Sequence, residues 1–224
     1  RENTAVLVSH AHINHCNDVN AVLAAMSRNK LDVKGVLIAN DTFVNGDEKT
    51  RPYLTEFHKN CVERIIIASH GQKIGIQDIE IKLLKAKHTD PKTIGFKFIT
   101  PKFSLVYSAD TGYNPELVKE YADTDILILN TVSPFDKKQE FNLNSDDAVN
   151  LIKRINPKLA IITHFGKGMI EANPVYQARE MSRMTETQII AAEDGAFVDP
   201  LEYASRTRQK RLESFEGPDV KTEE

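Results

Sequence analysis

Three histidines stand within six residues in Val8-Ser9-His10-Ala11-His12-Ile13-Asn14-His15-Cys16, directly after an apolar run. Imidazole is the commonest metal-binding side chain. On a strand His10 and His12 would share a face. On a helix neither His10/His12 nor His10/His15 has the i, i+3 or i+4 spacing that brings side chains together. A loop leaving a strand end can aim all three at one or two ions. Other ligand types recur at the ends of apolar runs: His88 in Lys87-His88-Thr89-Asp90-Pro91, Asp110 in Tyr107-Ser108-Ala109-Asp110-Thr111-Gly112, and His164 in Ile161-Ile162-Thr163-His164-Phe165-Gly166. Five of the seven histidines are thereby drawn in. Each alone is weak evidence; the ordered set is strong. Nitrogen and oxygen donors of this kind suit one or two zinc ions, with manganese or iron as alternatives. The chemistry such a site permits is metal-assisted hydrolysis, in which a hydroxide held by the cations attacks and the scissile phosphoryl or carbonyl oxygen is polarised.

The elements that must position these groups alternate along the chain. Thr4–Val8, Val33–Ala39, Arg64–Ala68, Ile79–Lys87, Thr93–Ile99, Ser104–Ser108, Ile126–Asn130, Leu159–Thr163, Gln188–Ala191 and Ala196–Val198 read as strands, several too apolar to face water. Asn17 or Asp18 caps a helix with Val19, Val22, Leu23 and Met26 on one face. A second helix is predicted over Pro52–Val62, with Leu54, Phe57 and Cys61 inward, and a third opens at Asn114-Pro115. Ser145-Asp146-Asp147 puts acids at the positive end of a fourth, and Asn173-Pro174 starts a fifth that runs to about Arg183. The pattern predicts an α/β layered fold, helices outside and sheet inside. The strands between Ile79 and Ser108 have no helix between them, so part of the sheet is antiparallel.

With 224 residues, 41% of them hydrophobic and 27% charged, the chain can bury a full core. A net charge of −3 gives no global pull toward nucleic acid. No apolar run approaches a membrane span, and no secretory signal is evident. Two cysteines, Cys16 and Cys61, make no disulfide framework and fit a reducing cytosol. Cys16 and His58 read as packing or surface residues, as does His70 in Ser69-His70-Gly71. Residues 1–200 are expected to form one domain, and 201–224 a polar C-terminal helix and tail. The basic run Arg206, Arg208, Lys210, Arg211 is interleaved with Glu202 and Glu213 and reads as a solvated face.

The order of the histidine cluster, His88, Asp110 and His164 resembles the metallo-β-lactamase superfamily, over roughly residues 4 to 199. Lys87-His88-Thr89-Asp90-Pro91-Lys92-Thr93-Ile94-Gly95-Phe96 and Thr163-His164-Phe165-Gly166 look most like the branch near ribonuclease Z and related phosphodiesterases. The resemblance implies a four-layer αββα sandwich. It implies that His10, His12 and His88 hold one metal, that Asn14, His15 and His164 surround a second, and that Asp110 bridges both. Asn14 and Asp110 would be the catalytic pair, and Lys167 is a candidate phosphate contact, set against a solvated loop lysine.

Three departures qualify these expectations. Position 14 is asparagine where the family has aspartate; asparagine is no base and a weaker oxygen ligand, so the second site should be weaker or empty. Asp18 and Asp90 are near enough in sequence to compensate. Leu129-Asn130-Thr131 stands where ribonuclease Z enzymes carry a His-Glu segment, and no tRNA-gripping arm is visible, which favours a small-molecule or short nucleic-acid phosphodiester. The histidine motif begins at residue 10, where the family has several strands before it. Strands missing there would leave a sheet edge able to pair with a second copy of the chain. The alternatives are a thioesterase or lactonase of the same fold, or a catalytically idle metal-binding scaffold.

Overall fold

The computed structural model describes residues 5–204. Strands β1 (Ala5–Val8), β2 (Val36–Asn40) and β3 (Arg64–Ala68) form a small parallel sheet in that order. The larger sheet contains β4 (Lys73–Ile76), β5 (Ile79–Lys85), β6 (Ile94–Ile99), β7 (Ser104–Tyr107), β8 (Ile126–Ser133), β9 (Leu143–Asn144), β10 (Leu159–Thr163) and β11 (Gln188–Ala191). Its order is β11-β10-β8-β7-β6-β5-β4, with β9 beside β8. From β4 to β7 the pairing is antiparallel, as the helix-free stretch predicts, and from β7 to β11 it is parallel.

Helices α1 (Ile13–Cys16), α2 (Val19–Met26), α3 (Asp41–Asn45) and α4 (Glu56–Lys59) accompany the small sheet. Helices α5 (Leu117–Glu120), α6 (Ser145–Ile155), α7 (Lys167–Glu171) and α8 (Pro174–Thr185) accompany the large one. Three buried clusters show the layering. Leu23, Leu37, Ala39, Phe43 and Leu54 fill the space between α2, α3 and the small sheet. Ile38, Ile81, Leu83, Ile94 and Phe96 lie between the two sheets. Val106, Leu127, Leu129, Leu151, Ile152 and Met181 lie between the large sheet and α6 and α8. Period-two alternation explains the split: Leu37 and Ala39 face the helices while Ile38 faces the other sheet. Each fully buried Leu or Ile contributes roughly 1.5–3 kcal/mol. The result is the αββα sandwich.

Some elements differ from expectation. The Pro52–Val62 helix shrinks to α4, because the N–H groups of Tyr53 and Leu54 both donate to the Phe43 carbonyl and Thr55 caps the turn. Phe57, expected inside, is 46% exposed with the Lys30 ammonium over its ring. The helix expected after Asn17 or Asp18 occurs as α2, with Asp18 at its N-cap, but Val22 points outward, and the unpredicted single turn α1 precedes it. Strand β4 was hidden by its brevity. It pairs with β5 through a turn at Gln77, which adopts a left-handed φ of 53°. Ala196–Val198 is no strand, and Phe197 is exposed. Helix α6 starts as predicted, through a reciprocal capping box between Asn144 and Asp147. Pro200–Tyr203 forms a 3-10 turn; the rest of the expected C-terminal helix, its basic run and the tail lie outside the described residues. Among the described residues, no helix is long and apolar enough to cross a membrane.

Candidate metal centre

The C-terminal ends of β1, β5, β7 and β10 open at one rim, and each delivers part of the predicted ligand set. After β1 the chain stays extended, placing His10 fully buried and His12 at the start of α1. The α1 turn then carries Asn14 and His15. Two ends need backbone in the left-handed region: Ala109, before Asp110, has φ 55°, and His164 has φ 61°. Such non-glycine conformations are concentrated at functional sites.

One carboxylate oxygen is the centre of the geometry. Asp110 Oδ2 lies 3.1 Å from His15 Nε2, 3.6 Å from His88 Nε2, 3.7 Å from His164 Nε2 and 3.8 Å from His10 Nε2. Ring nitrogens also converge on each other: His88 Nε2 is 3.1 Å from His12 Nδ1, and His164 Nε2 is 2.7 Å from His15 Nε2, with those last two rings stacked. Asn14 Nδ2 is 3.2 Å from His164 Nε2. The donors fall into two lobes, His10/His12/His88 and His15/His164/Asn14, with Asp110 touching both. His10 Nε2 is buried without a hydrogen-bond partner. The triads His10/His12/His88 and His10/His15/Asp110 each gather their ligand atoms within 4.8 Å. An orphaned imidazole nitrogen among other imidazoles and a carboxylate fits a divalent cation.

The protonation states favour a cation too. Burial, then the neighbouring His15, lowers the His10 pKa to about 3. Burial and His88 also lower that of His12. For Asp110 burial pulls upward, but hydrogen bonds from His15 and Asn130 and the nearby His164 outweigh it and hold the carboxyl well below the usual range. At neutral pH His10 and His12 are thus held deprotonated before any metal arrives.

Surrounding groups fix the rings. His88 Nδ1 donates to the Phe141 carbonyl at 2.9 Å, leaving Nε2 for a ligand. Gly112 permits that contact, since a Cβ there would lie 1.9 Å from the Glu140 carbonyl oxygen. His10 Nδ1 pairs with Ser9 Oγ at 3.0 Å. Asn130, buried in β8, donates from Nδ2 to Asp110 Oδ1 at 2.7 Å and to Tyr107 Oη at 3.2 Å. Sequence reasoning noted Asn130 only as a departure; its place at the end of an apolar run was the signal that could have found it.

Asp90 does not stand in for the missing aspartate. Its carboxylate accepts from Ala11 N, Asn40 Nδ2, Thr42 Oγ1 and Lys92 N, which fills its acceptor positions. It anchors the His10–His12 loop from behind. Asp18 pairs with Asn17, also apart from the cluster. Lys167 opens α7, exposed and 3.7 Å from Glu171. Cys16 is buried in the core, where its thiol pKa rises to about 11. His58 bonds Thr55, and His70 bonds Glu120.

Two sheets between helix layers, with imidazoles and a carboxylate converging at the strand ends, define an αββα protein with a candidate metal centre. The chain matches the β-lactamase superfamily domain over residues 1–165, and it belongs to that superfamily. An uncharacterized protein of Methanocaldococcus jannaschii is 29% identical over 199 residues, covering 88% of this chain and 74% of the relative. The fold is similar to that of the metallo-β-lactamase fold protein YhfI from Bacillus subtilis, with a TM-score of 0.71, 20% identity, and 86% and 76% of the two chains covered. It is also similar to a diphosphatase of the PhnP family, with a TM-score of 0.63, 18% identity, and 87% and 70% covered.

Proposed function

We propose that this chain is a metal-dependent hydrolase acting on a phosphodiester, in the branch near ribonuclease Z but without its tRNA specificity. The observation that carries the reading is the position of Asp110 Oδ2, within 3.8 Å of one nitrogen each of His10, His15, His88 and His164. His10, His12 and His88 would hold one cation, His15, His164 and Asn14 a second, and Asp110 would touch both. Zinc suits this donor set, with manganese or iron as alternatives. When bound, the cations make water a better nucleophile at neutral pH and polarise the scissile oxygen. Hydrolysis forms one P–O bond from water and breaks the ester P–O bond, and the proton of water ends on the departing oxygen. Asp110 holds no proton near neutral pH, so it offers charge and an acceptor. Asn14 offers a neutral amide at the second lobe and positions rather than deprotonates. A PhnP-family diphosphatase shares the fold, as does an isothiocyanate hydrolase, so the preference for phosphorus rests on the sequence resemblance. Lys167, exposed at the start of α7, is the candidate phosphate contact. Cys16 and Cys61, buried free thiols, suit a reducing cytosol, and a second copy pairing at an edge of the small sheet belongs to the same proposal.

The test is metal analysis of protein purified without chelator, followed by hydrolysis of bis(4-nitrophenyl) phosphate against a panel of thioesters and lactones. Absence of bound transition metal after reconstitution would sink the reading; turnover of thioesters or lactones alone would move it to that class. Asn14 favours one second reading, a metal-binding protein without turnover. Asn14→Asp separates the two. A gain of several orders of magnitude from no detectable turnover supports the idle protein, whereas an active native chain that changes little supports the hydrolase.

A further inference from the structure

Beside the metal centre lies a cavity of about 570 Å³ whose wall includes His12 and Thr89. Its other walls are Thr42, the segment Asp47 to Thr50, Tyr53, and Pro91 with Lys92. That size lies within the roughly 300–1,000 Å³ of small-ligand pockets. Nothing in the ligand set accounts for it.

The wall is built rather than loose. Gly46 has φ 74°, and a Cβ there would lie 2.4 Å from the Thr50 carbonyl oxygen, so only glycine fits this turn. Asp47 N donates to Thr50 O at 2.8 Å. The Asp47 carboxylate accepts from the backbone N–H groups of Lys49 and Thr50 at 2.8 and 2.7 Å. Tyr53 is held through its backbone by Phe43 and Asn20, and its ring lies parallel to the buried Phe43 ring.

The lining selects an occupant. Lys49 and Lys92 line the cavity together with Asp47, Glu48 and Asp90, and Lys92 is already paired with Asp41 at 2.6 Å. A second phosphate would gain no net positive field here, and an aliphatic chain would strip water from threonine hydroxyls and charged groups without replacing it. A flat, neutral, hydrogen-bonding ring matches both halves of the wall, stacking on Tyr53 and bonding to the polar groups around it. Such a ring, attached to a phosphodiester held at His12, is a nucleobase. We propose that the cavity is a nucleoside subsite, so that the substrate is a short nucleoside phosphodiester. This rests on the hydrolase reading for its phosphodiester and on the cavity for its base.

The experiment compares thymidine 5′-(4-nitrophenyl phosphate) with methyl 4-nitrophenyl phosphate on the zinc-reconstituted protein. The ratio of kcat/KM values in one sample is independent of the folded fraction. Stacking of one base predicts a nucleoside preference of about 10-fold or more, mostly in KM. Tyr53→Ala should collapse the ratio toward one, and Tyr53→Phe should keep most of it. In parallel, calorimetry measures thymidine 5′-monophosphate and methyl phosphate binding to the zinc-loaded wild type and Tyr53→Ala. Tighter nucleotide binding that is lost in Tyr53→Ala supports the subsite even if neither ester is cleaved, in which case the hydrolase reading alone falls. Equal ratios and equal affinities in wild type and Tyr53→Ala overturn the subsite while leaving any phosphodiesterase activity intact.

Discussion

Replacing Asn130 by alanine removes the donor that holds the back of Asp110. In the native fold Asn130 Nδ2 sits 2.7 Å from Asp110 Oδ1, and that contact turns Oδ2 toward the four imidazoles. A hydrogen bond to a charged acceptor is worth roughly 1.5–3 kcal/mol. If most of it is spent on orienting the shared carboxylate, metal affinity should fall on the order of 10- to 100-fold, at about 1.4 kcal/mol per tenfold. Loss of groups that orient metal ligands typically costs about the same. The assay is a zinc titration of metal-free protein in competition with a chelator, at a pH where circular dichroism shows the variant folded. A second readout separates orientation from general damage. Asn130 helps keep the proton off Asp110, so its loss should shift the pH midpoint of metal release upward. An Asn130→Ala protein that binds zinc with native affinity and an unchanged pH midpoint would refute the reasoning.

Three further outcomes follow from the same geometry. Asp90→Asn turns one acceptor oxygen into an amide facing the donors Ala11 N, Asn40, Thr42 and Lys92 N. It should cost about 2–4 kcal/mol of stability, read as a lower urea midpoint; an unchanged midpoint would show that Asp90 is no anchor. Metal-free protein should lose stability on acidification. The His10 pKa is depressed from 6.5 to about 3, so between those values the unfolded chain binds more protons than the folded one. Stability then falls as pH drops through that window, by at most about 1.4 kcal/mol per pH unit for this group, and His10→Phe should flatten the slope. Metal should bind in two phases. His10 and His88 side chains are 0% and 5% exposed, whereas His164 is 28% exposed and Asn14 is a neutral ligand at the surface, so the first lobe fills first. A single phase of two equivalent ions would contradict this.

The layered fold was legible because its signals are local. Leu159–Thr163 and Gln188–Ala191 are apolar runs bounded by turns, and both occur as read. The convergence of His10, His12, His15, His88, Asp110 and His164 at one rim was legible because histidines after such runs have little other reason to recur. What the sequence hid is set by tertiary partners. Pro52–Val62 has helical periodicity, yet the Phe43 carbonyl takes two of its N–H groups. Asp90 looked like a spare ligand, and only the fold shows it consumed by donors from three separate segments. The cavity beside His12 depends on the Gly46 turn meeting Pro91, residues far apart in the chain.

Strain ties these observations together. Ala109 and His164 both adopt left-handed backbone next to or at a ligand, at roughly 1–2 kcal/mol each for a residue with a Cβ. Glycine would relieve the strain at 164 but removes the imidazole, so a candidate ligand directly after β10 must bear it. Neighbouring strands over-determine the rest: the Asn130 N–H donates to Ser108 Oγ, and the Ser108 N–H to the Ile128 carbonyl, clamping β7 to β8 around the Ala109 turn. Asp110 is thereby held on a rigid rim, while Asn14 and His15 ride on a single helical turn. His10 and the shared carboxylate belong to the core, whereas His12 and His15, at the start of and within the α1 turn, lie half-buried at its margin. An asparagine at position 14 would weaken the candidate second lobe, and it leaves the contact between the buried His10 and Asp110 untouched.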